Sequence, residues 1–118
     1  MLHTDLEVWK RSIELVTSVY KLTEQIPSDE RFGLTGQIRR AAVSVPSNIA
    51  EGAGRLHRKE LVQFLNISTG SLSELETLLI IARNLGFINQ NEIPADEINS
   101  IRKMLVGLTK KIQNQNQF

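Results

Sequence analysis

The stretch Arg31-Phe-Gly-Leu-Thr-Gly-Gln-Ile-Arg-Arg-Ala-Ala-Val-Ser-Val-Pro-Ser-Asn-Ile-Ala-Glu-Gly-Ala-Gly-Arg-Leu-His-Arg-Lys59 decides how this chain folds. Its apolar residues Leu34, Ile38, Ala41/Ala42, Val45 and Ile49 recur at the spacing of one helix face. The series stays in phase through Pro46, which lacks the N–H that would bond to the Ala42 carbonyl and crowds that turn. The spacing therefore predicts one helix kinked at Pro46. Gly52 and Gly54 are expected to end it, because glycine readily takes the left-handed cap conformation. The same stretch carries six Lys/Arg against one acid, a net of +5, and leaves eight basic and twelve acidic residues elsewhere, a net of −4. In a chain of overall charge +1, that segregation points to a surface facing a polyanion. The alternative is a basic helix paired with acidic neighbours.

Outward from this segment, periodicity predicts three more helices. The first runs from about Leu6 to Ile26, with Thr4 or Asp5 as its cap. Trp9, Ile13, Val16 and Tyr20 form one stripe, and Leu15, Val19, Leu22 and Ile26 form a second beside it. Two adjacent stripes suit a helix that touches two neighbours. Pro27 stops it by pushing the residue before it out of the helical region. The third runs from about residue 57 to Leu85 and packs through Leu61, Phe64/Leu65, Ser68, Leu72, Leu75, Leu79 and Ala82, with Gly86 as cap. Its patch Ser68-Thr-Gly-Ser71 is small enough for another backbone to approach. The last follows Pro94, which suits a first helical turn, and carries Ile98, Ile101, Leu105, Leu108 and Ile112. The expected fold class is all-α: a single domain over 1–118, an antiparallel up-down four-helix bundle with a proline-kinked second helix. The expected helices span about 6–26, 31–52, 57–85 and 94–113, and the Asn/Gln-rich residues 114–118 form a frayed tail.

Composition narrows the function classes. A chain of 118 residues with 41% hydrophobic and 23% charged residues is long enough for a core without staples. It has no cysteine, so disulfides and thiolate metal sites are excluded. No apolar run approaches the ~20 residues of a membrane span, and the first residues do not read as a signal peptide. A cytoplasmic protein without membrane contact is expected.

Catalytic arrangements are poorly represented. His3 and His57 have no partner at metal-ligand spacing and no Glu-x-x-His pair exists, so no metal is expected. No nucleophile–base pair suggests itself. Gly52-Ala-Gly54 follows no strand and is not a phosphate-cradling fingerprint. Glu74 and Glu76 point to different helix faces. The chain is expected to be no enzyme and to need no cofactor.

Binding is better represented. Arg39 and Arg40 are placed to meet phosphates. Arg55, His57, Arg58 and Lys59 form a basic turn at a helix N-terminus, where cations oppose the dipole and gain nothing for stability. Arg40, Ser44, Asn48 and Glu51 share one stripe. Asn48 and Glu51 are either part of the site or braces around Pro46, Glu51 pairing with Arg40 or Arg55. Lys110 and Lys111, late in the last helix, are explained by the dipole alone. Of six aromatic residues only Phe32 lies in the basic segment, so backbone or shape recognition fits better than base stacking on an aromatic platform.

The segments Asp5-Leu-Glu-Val-Trp9, Arg31-Phe-Gly-Leu-Thr35, Gln37-Ile-Arg-Arg-Ala-Ala-Val-Ser44, Pro46-Ser-Asn-Ile-Ala-Glu-Gly52, Gly54-Arg55 and Gly70-Ser-Leu-Ser-Glu-Leu-Glu-Thr77 occur in order over about Asp5 to Leu108. In them the chain resembles the bacterial four-helix-bundle proteins encoded in intervening sequences of the large-subunit (23S) ribosomal RNA gene. It departs at His57, where a Ser or Thr cap is common, at Phe87, where Tyr is usual, and in its Asn/Gln tail. The resemblance implies an up-down four-helix bundle and a ring-shaped homopentamer. It also implies kinship with accessory proteins of diversity-generating retroelements, which share the fold and a basic surface used for nucleic acid and reverse transcriptase. A ring would repeat the basic segment around an axis and add avidity.

Together these readings predict a non-enzymatic, homo-oligomeric helical bundle. It would bind nucleic acid, structured RNA above all, through Arg39, Arg40, Arg55, Arg58 and Lys59. The alternative is a scaffold or adaptor ring whose basic segment docks a partner protein; a bundle enzyme is a distant third.

Overall fold

The computed structural model describes residues 2–115, and every regular element within that range is helical. Four α-helices follow in order: α1 (Glu7–Thr23), α2 (Leu34–Ala53), α3 (Arg58–Asn84) and α4 (Ala95–Gln115). Short 3-10 turns precede α1 (His3–Asp5), α2 (Ser28–Glu30) and α4 (Gln90–Glu92). The molecule measures 52 × 23 × 19 Å. Its long axis exceeds the ~40 Å expected of the longest helix by little more than the loops at each end.

One face of each helix builds the core. Leu15 and Val19 of α1, Ile38, Val45 and Ile49 of α2, Leu65, Leu72, Leu75 and Leu79 of α3, and Ile98, Ile101 and Leu105 of α4 are fully buried. On α1 the Leu15/Val19 stripe enters this core, while the Trp9 stripe lies along the junction with α2. There Ile13 and Tyr20 remain 39% and 40% exposed. Buried hydroxyls turn back on the helices: Ser12 donates to the Trp9 carbonyl at 2.8 Å, Thr109 to Leu105 at 2.8 Å, and Thr23 to Val19 at 2.9 Å. Among the described residues no buried side-chain nitrogen or oxygen lacks a hydrogen-bond partner.

The closest helix pair is α2 with α3. The Ser44 and Ser71 hydroxyls share a hydrogen bond of 2.8 Å, and Ser68 donates to the Val45 carbonyl at 2.8 Å. Farther along, Gly52 lies against Phe64: a methyl group on it would come within 2.9 Å of the Phe64 Cβ. Partner numbers fall along α3 as they rise along α2, as a short turn between them requires. α2 continues through Pro46, which is itself buried.

Several boundaries differ from the sequence reading, each for a local reason. Thr4 and Asp5 fold into the 3-10 turn rather than capping α1, whose N-cap is Leu6 without a side-chain bond. α1 stops at Thr23, where the Thr23 hydroxyl also reaches the Tyr20 carbonyl. α2 starts at Leu34 because Ser28–Glu30 forms a separate turn and Gly33 breaks from helical geometry at φ −103°, ψ −111°. Gly52 is inside α2, and Gly54 at its C-cap has φ −82°, so neither uses the left-handed conformation. Gly86 does, at φ 81°. There Phe87 N–H bonds the Ala82 carbonyl and Gly86 N–H bonds Arg83, a closing pattern that satisfies carbonyls at the end of α3. Asn114 and Gln115 belong to α4; the rest of the expected tail, 116–118, lies outside the described residues.

At the loop end of the bundle, Gln25 Nε2 donates to Glu92 Oε2 at 2.8 Å and the Asn89 N–H donates to Glu92 Oε1 at 2.8 Å. These bonds, the Gln25 bond foremost, hold the Glu92 carboxyl below its ordinary value. A depressed carboxyl adds stability that is present above its unfolded value and lost as pH falls through the folded one. The Glu92→Gln variant should therefore melt below the wild type near pH 7, with the gap narrowing at an acid pH below the ordinary carboxylate range. Thermal midpoints of both proteins at the two pH values check this, and a gap independent of pH would refute it. Packing supplies a second test. Gly52→Ala should lower stability by about 1–3 kcal/mol through the contact with Phe64 and Leu61. Gly70→Ala, where nothing lies within 4 Å of the added carbon, should raise it by roughly 0.5–1 kcal/mol. Urea midpoints distinguish the two.

Candidate nucleic-acid interface

The basic segment does not form one patch. Arg39 and Arg40 lie in the first half of α2, while Arg55, Arg58 and Lys59 lie at the turn into α3. At the helical rise the two groups are about 20 Å apart.

Arg39 is held against α1. Its Nε donates to Thr23 Oγ1 at 2.9 Å and its Nη2 to the Tyr20 carbonyl at 3.2 Å. Its guanidinium carbon sits 4.5 Å from the centre of the Tyr20 ring. The side chain thus serves one hydroxyl and one carbonyl at the end of α1, where a cation also suits the dipole. Arg40, the next residue on the helix, is exposed and makes no hydrogen bond or ion pair among the described residues. It lines an open groove of about 710 Å³ together with Tyr20, Gly36, Val43, Ser44 and Glu74.

At the other group, Arg55 lies between Glu51 at 3.5 Å and Glu60 at 3.7 Å, and its guanidinium carbon is 4.9 Å from the Phe64 ring centre. These exposed pairs add little stability but offset its charge locally. Arg58 Nη1 donates to the Gln115 carbonyl at 2.9 Å and ties the turn to the last turn of α4. Lys59 is exposed and unpaired among the described residues. His57 occupies the N-cap of α3 with extended backbone and no side-chain cap bond, so its carbonyl alone accepts the Glu60 and Leu61 N–H groups.

Asn48 and Glu51 each have a polar partner within one or two turns of the helix. Asn48 Nδ2 donates to the Ser44 carbonyl at 2.8 Å and to Ser44 Oγ at 2.9 Å, next to the proline turn. Glu51 takes Arg55, and not Arg40, as its partner.

The placement of three side chains was not foreseen from the sequence. Glu74 of α3 shares the Arg40 groove and has no hydrogen bond or ion pair among the described residues; only the packing of α3 on α2 brings it there. Leu56, in the basic turn, is 95% exposed. Phe32 is 87% exposed, and the Arg31 guanidinium carbon lies 5.2 Å from its ring centre. Their flanking cations in the sequence were the available signal. Among the described residues no three His, Asp or Glu side chains converge as metal ligands, and no helix is long and apolar enough to cross a membrane.

No curated protein sequence is similar to the chain. Among solved structures it is similar to a protein of unknown function from the S23 ribosomal protein family of Bacteroides thetaiotaomicron. The TM-score is 0.77 at 23% identity, over 87% of this chain and 98% of that one. At that identity the likeness establishes the fold. The family model described as 23S rRNA-intervening sequence protein matches residues 4–107. With four helices in the expected order and a match over most of its length, the chain belongs to the 23S rRNA-intervening sequence protein family.

Proposed function

We propose that the protein is a non-enzymatic, self-associating helical bundle that binds nucleic acid, structured RNA above all, through the two basic groups on α2 and its turn. The observation that carries this reading is the state of Arg40 and Lys59. Both are exposed cations without internal partners, in a chain whose other positive charges in this segment are largely engaged. Two such groups about 20 Å apart cannot share one phosphate. They suit an extended polyanion, whose counterions are released as each phosphate is neutralised.

Self-association belongs to the same proposal. Ile13, Tyr20 and Val43 near the α1/α2 junction, Ile67 and Ile81 on α3, and Val106 on α4 leave apolar surface outside the core. A ring of copies would cover part of it and repeat the cations, so that weak phosphate contacts act together. A cytoplasmic setting fits a chain without cysteine. The exposed Leu56 and Phe32 favour one second reading, a scaffold that offers these side chains to a partner protein.

The double charge reversal Arg40→Glu/Lys59→Glu should weaken binding to a labelled RNA hairpin at least tenfold. It should also reduce the slope of log affinity against log salt by about two, one for each lost phosphate contact. Unchanged affinity and slope, with helical content intact, would remove the nucleic-acid reading. The neighbouring arginines separate folding from binding. Arg39→Ala should lower stability by about 1–2 kcal/mol through its lost bonds to α1, whereas Arg40→Ala should stay within about 0.5 kcal/mol of wild type.

A further inference from the structure

The groove beside Arg40 holds two opposite charges that do not pair. Glu76 and Arg102 meet at 2.8 Å, and Arg55 lies within 4 Å of two carboxylates. Arg40 and Glu74 line the same groove, yet no ion pair joins them. A carboxylate on a surface that binds a polyanion repels phosphate, so Glu74 weakens such binding unless it accepts hydrogen bonds from some other part of the ligand.

We infer that this groove takes one unpaired guanine of a bound RNA, an inference that rests on the nucleic-acid reading above. Glu74 would accept from the guanine N1–H and N2–H, and Arg40 would donate to a phosphate of the same strand. Guanine alone among the four bases presents two adjacent donors on its Watson–Crick edge, and these match the two oxygens of one carboxylate. Adenine and cytosine offer one amino donor beside a ring acceptor that the carboxylate repels. Uracil offers one N–H between two carbonyl oxygens. Pairing in a duplex occupies the guanine edge, so the ligand is a loop or bulge nucleotide.

The rest of the groove fits a flat base. Arg39 lines it, with its guanidinium stacked on Tyr20 and fixed by two hydrogen bonds to α1. A guanidinium plane already held in place is a stacking surface that loses little freedom on binding. Gly36 adds no side chain to the lining, and a carbon attached there would come within 3.1 Å of the Arg31 carbonyl. The volume of about 710 Å³ accommodates a nucleotide without closure of the helices.

The test uses the full chain and one labelled RNA stem closed by loops that differ only in base, with fluorescence anisotropy at fixed salt. The guanosine loop should bind about tenfold tighter than the adenosine or uridine loop, and the inosine loop, which keeps N1–H and lacks the N2 amino group, should fall between. Glu74→Gln should bring all loops to within about twofold of one another while the salt slope stays as in wild type. Equal affinity for every loop in the wild type, or a guanosine preference that survives Glu74→Gln, overturns the guanine site and leaves the basic-surface reading standing. Failure to bind any hairpin overturns both.

Discussion

Close approach between α2 and α3 governs much else in this bundle. Where Ser44 meets Ser71 and Ser68 meets the Val45 carbonyl, the hydroxyls are short enough to bond across the interface. At Gly52 even a methyl group would be crowded. Large apolar side chains on that line would push the helices apart and open the core beneath Val45, Ile49 and Leu65. The same contact carries Pro46. A proline inside a helix removes one donor and displaces its turn, and here the neighbouring Ser44 and Val45 carbonyls accept bonds from Asn48 and Ser68. Ser68 of α3 thus ties the turn beside the proline to the neighbouring helix, while the Asn48 bond lies within α2 itself.

Charge on this scaffold is divided between structure and surface by helix geometry. Arg39 and Arg40 are consecutive, so their side chains leave α2 about 100° apart. That single-residue step sends Arg39 to the end of α1, where the Thr23 hydroxyl and the Tyr20 carbonyl take its N–H groups, and leaves Arg40 to the groove. Arg55 is offset by two acids and Phe64, and Arg58 is tied to α4. A net of +5 counted along the segment therefore overstates the charge this surface presents.

Much of the fold was legible because the apolar stripes are regular. The four helices, their order and the Gly86 cap follow from spacing and from residues with few conformational alternatives. Gly52 was misread because a glycine that ends a helix and a glycine that admits a neighbour look alike in sequence. The start of α2 was misplaced because Ser28-Asp29-Glu30 suits a helix start and a separate 3-10 turn equally well. Candidate-site residues on α2 were legible as residue types, but their partners were not. Whether Arg39 or Arg40 meets α1, and that Glu74 stands across from Arg40, depend on contacts between helices distant in the chain. For Asn48 and Glu51, likewise, the sequence offered several partners, and the structure gives Ser44 and Arg55.

The Ser44–Ser71, Ser68–Val45 and Gly52–Phe64 contacts join residues 27, 23 and 12 apart, across the turn between successive helices. Their loops close with little loss of chain entropy, whereas docking α1 onto α4 must close a loop of most of the chain, as between Arg11 and Ser100. Successive helices all close such shorter loops, as Arg39 on Thr23 also shows. Of these pairs α2–α3 is the most closely packed, and it is the hairpin favoured first during folding, with α1 and α4 adding to a surface already formed. Amide protons in the middle of these two helices should then exchange only on global opening, while the outer pair opens in smaller excursions.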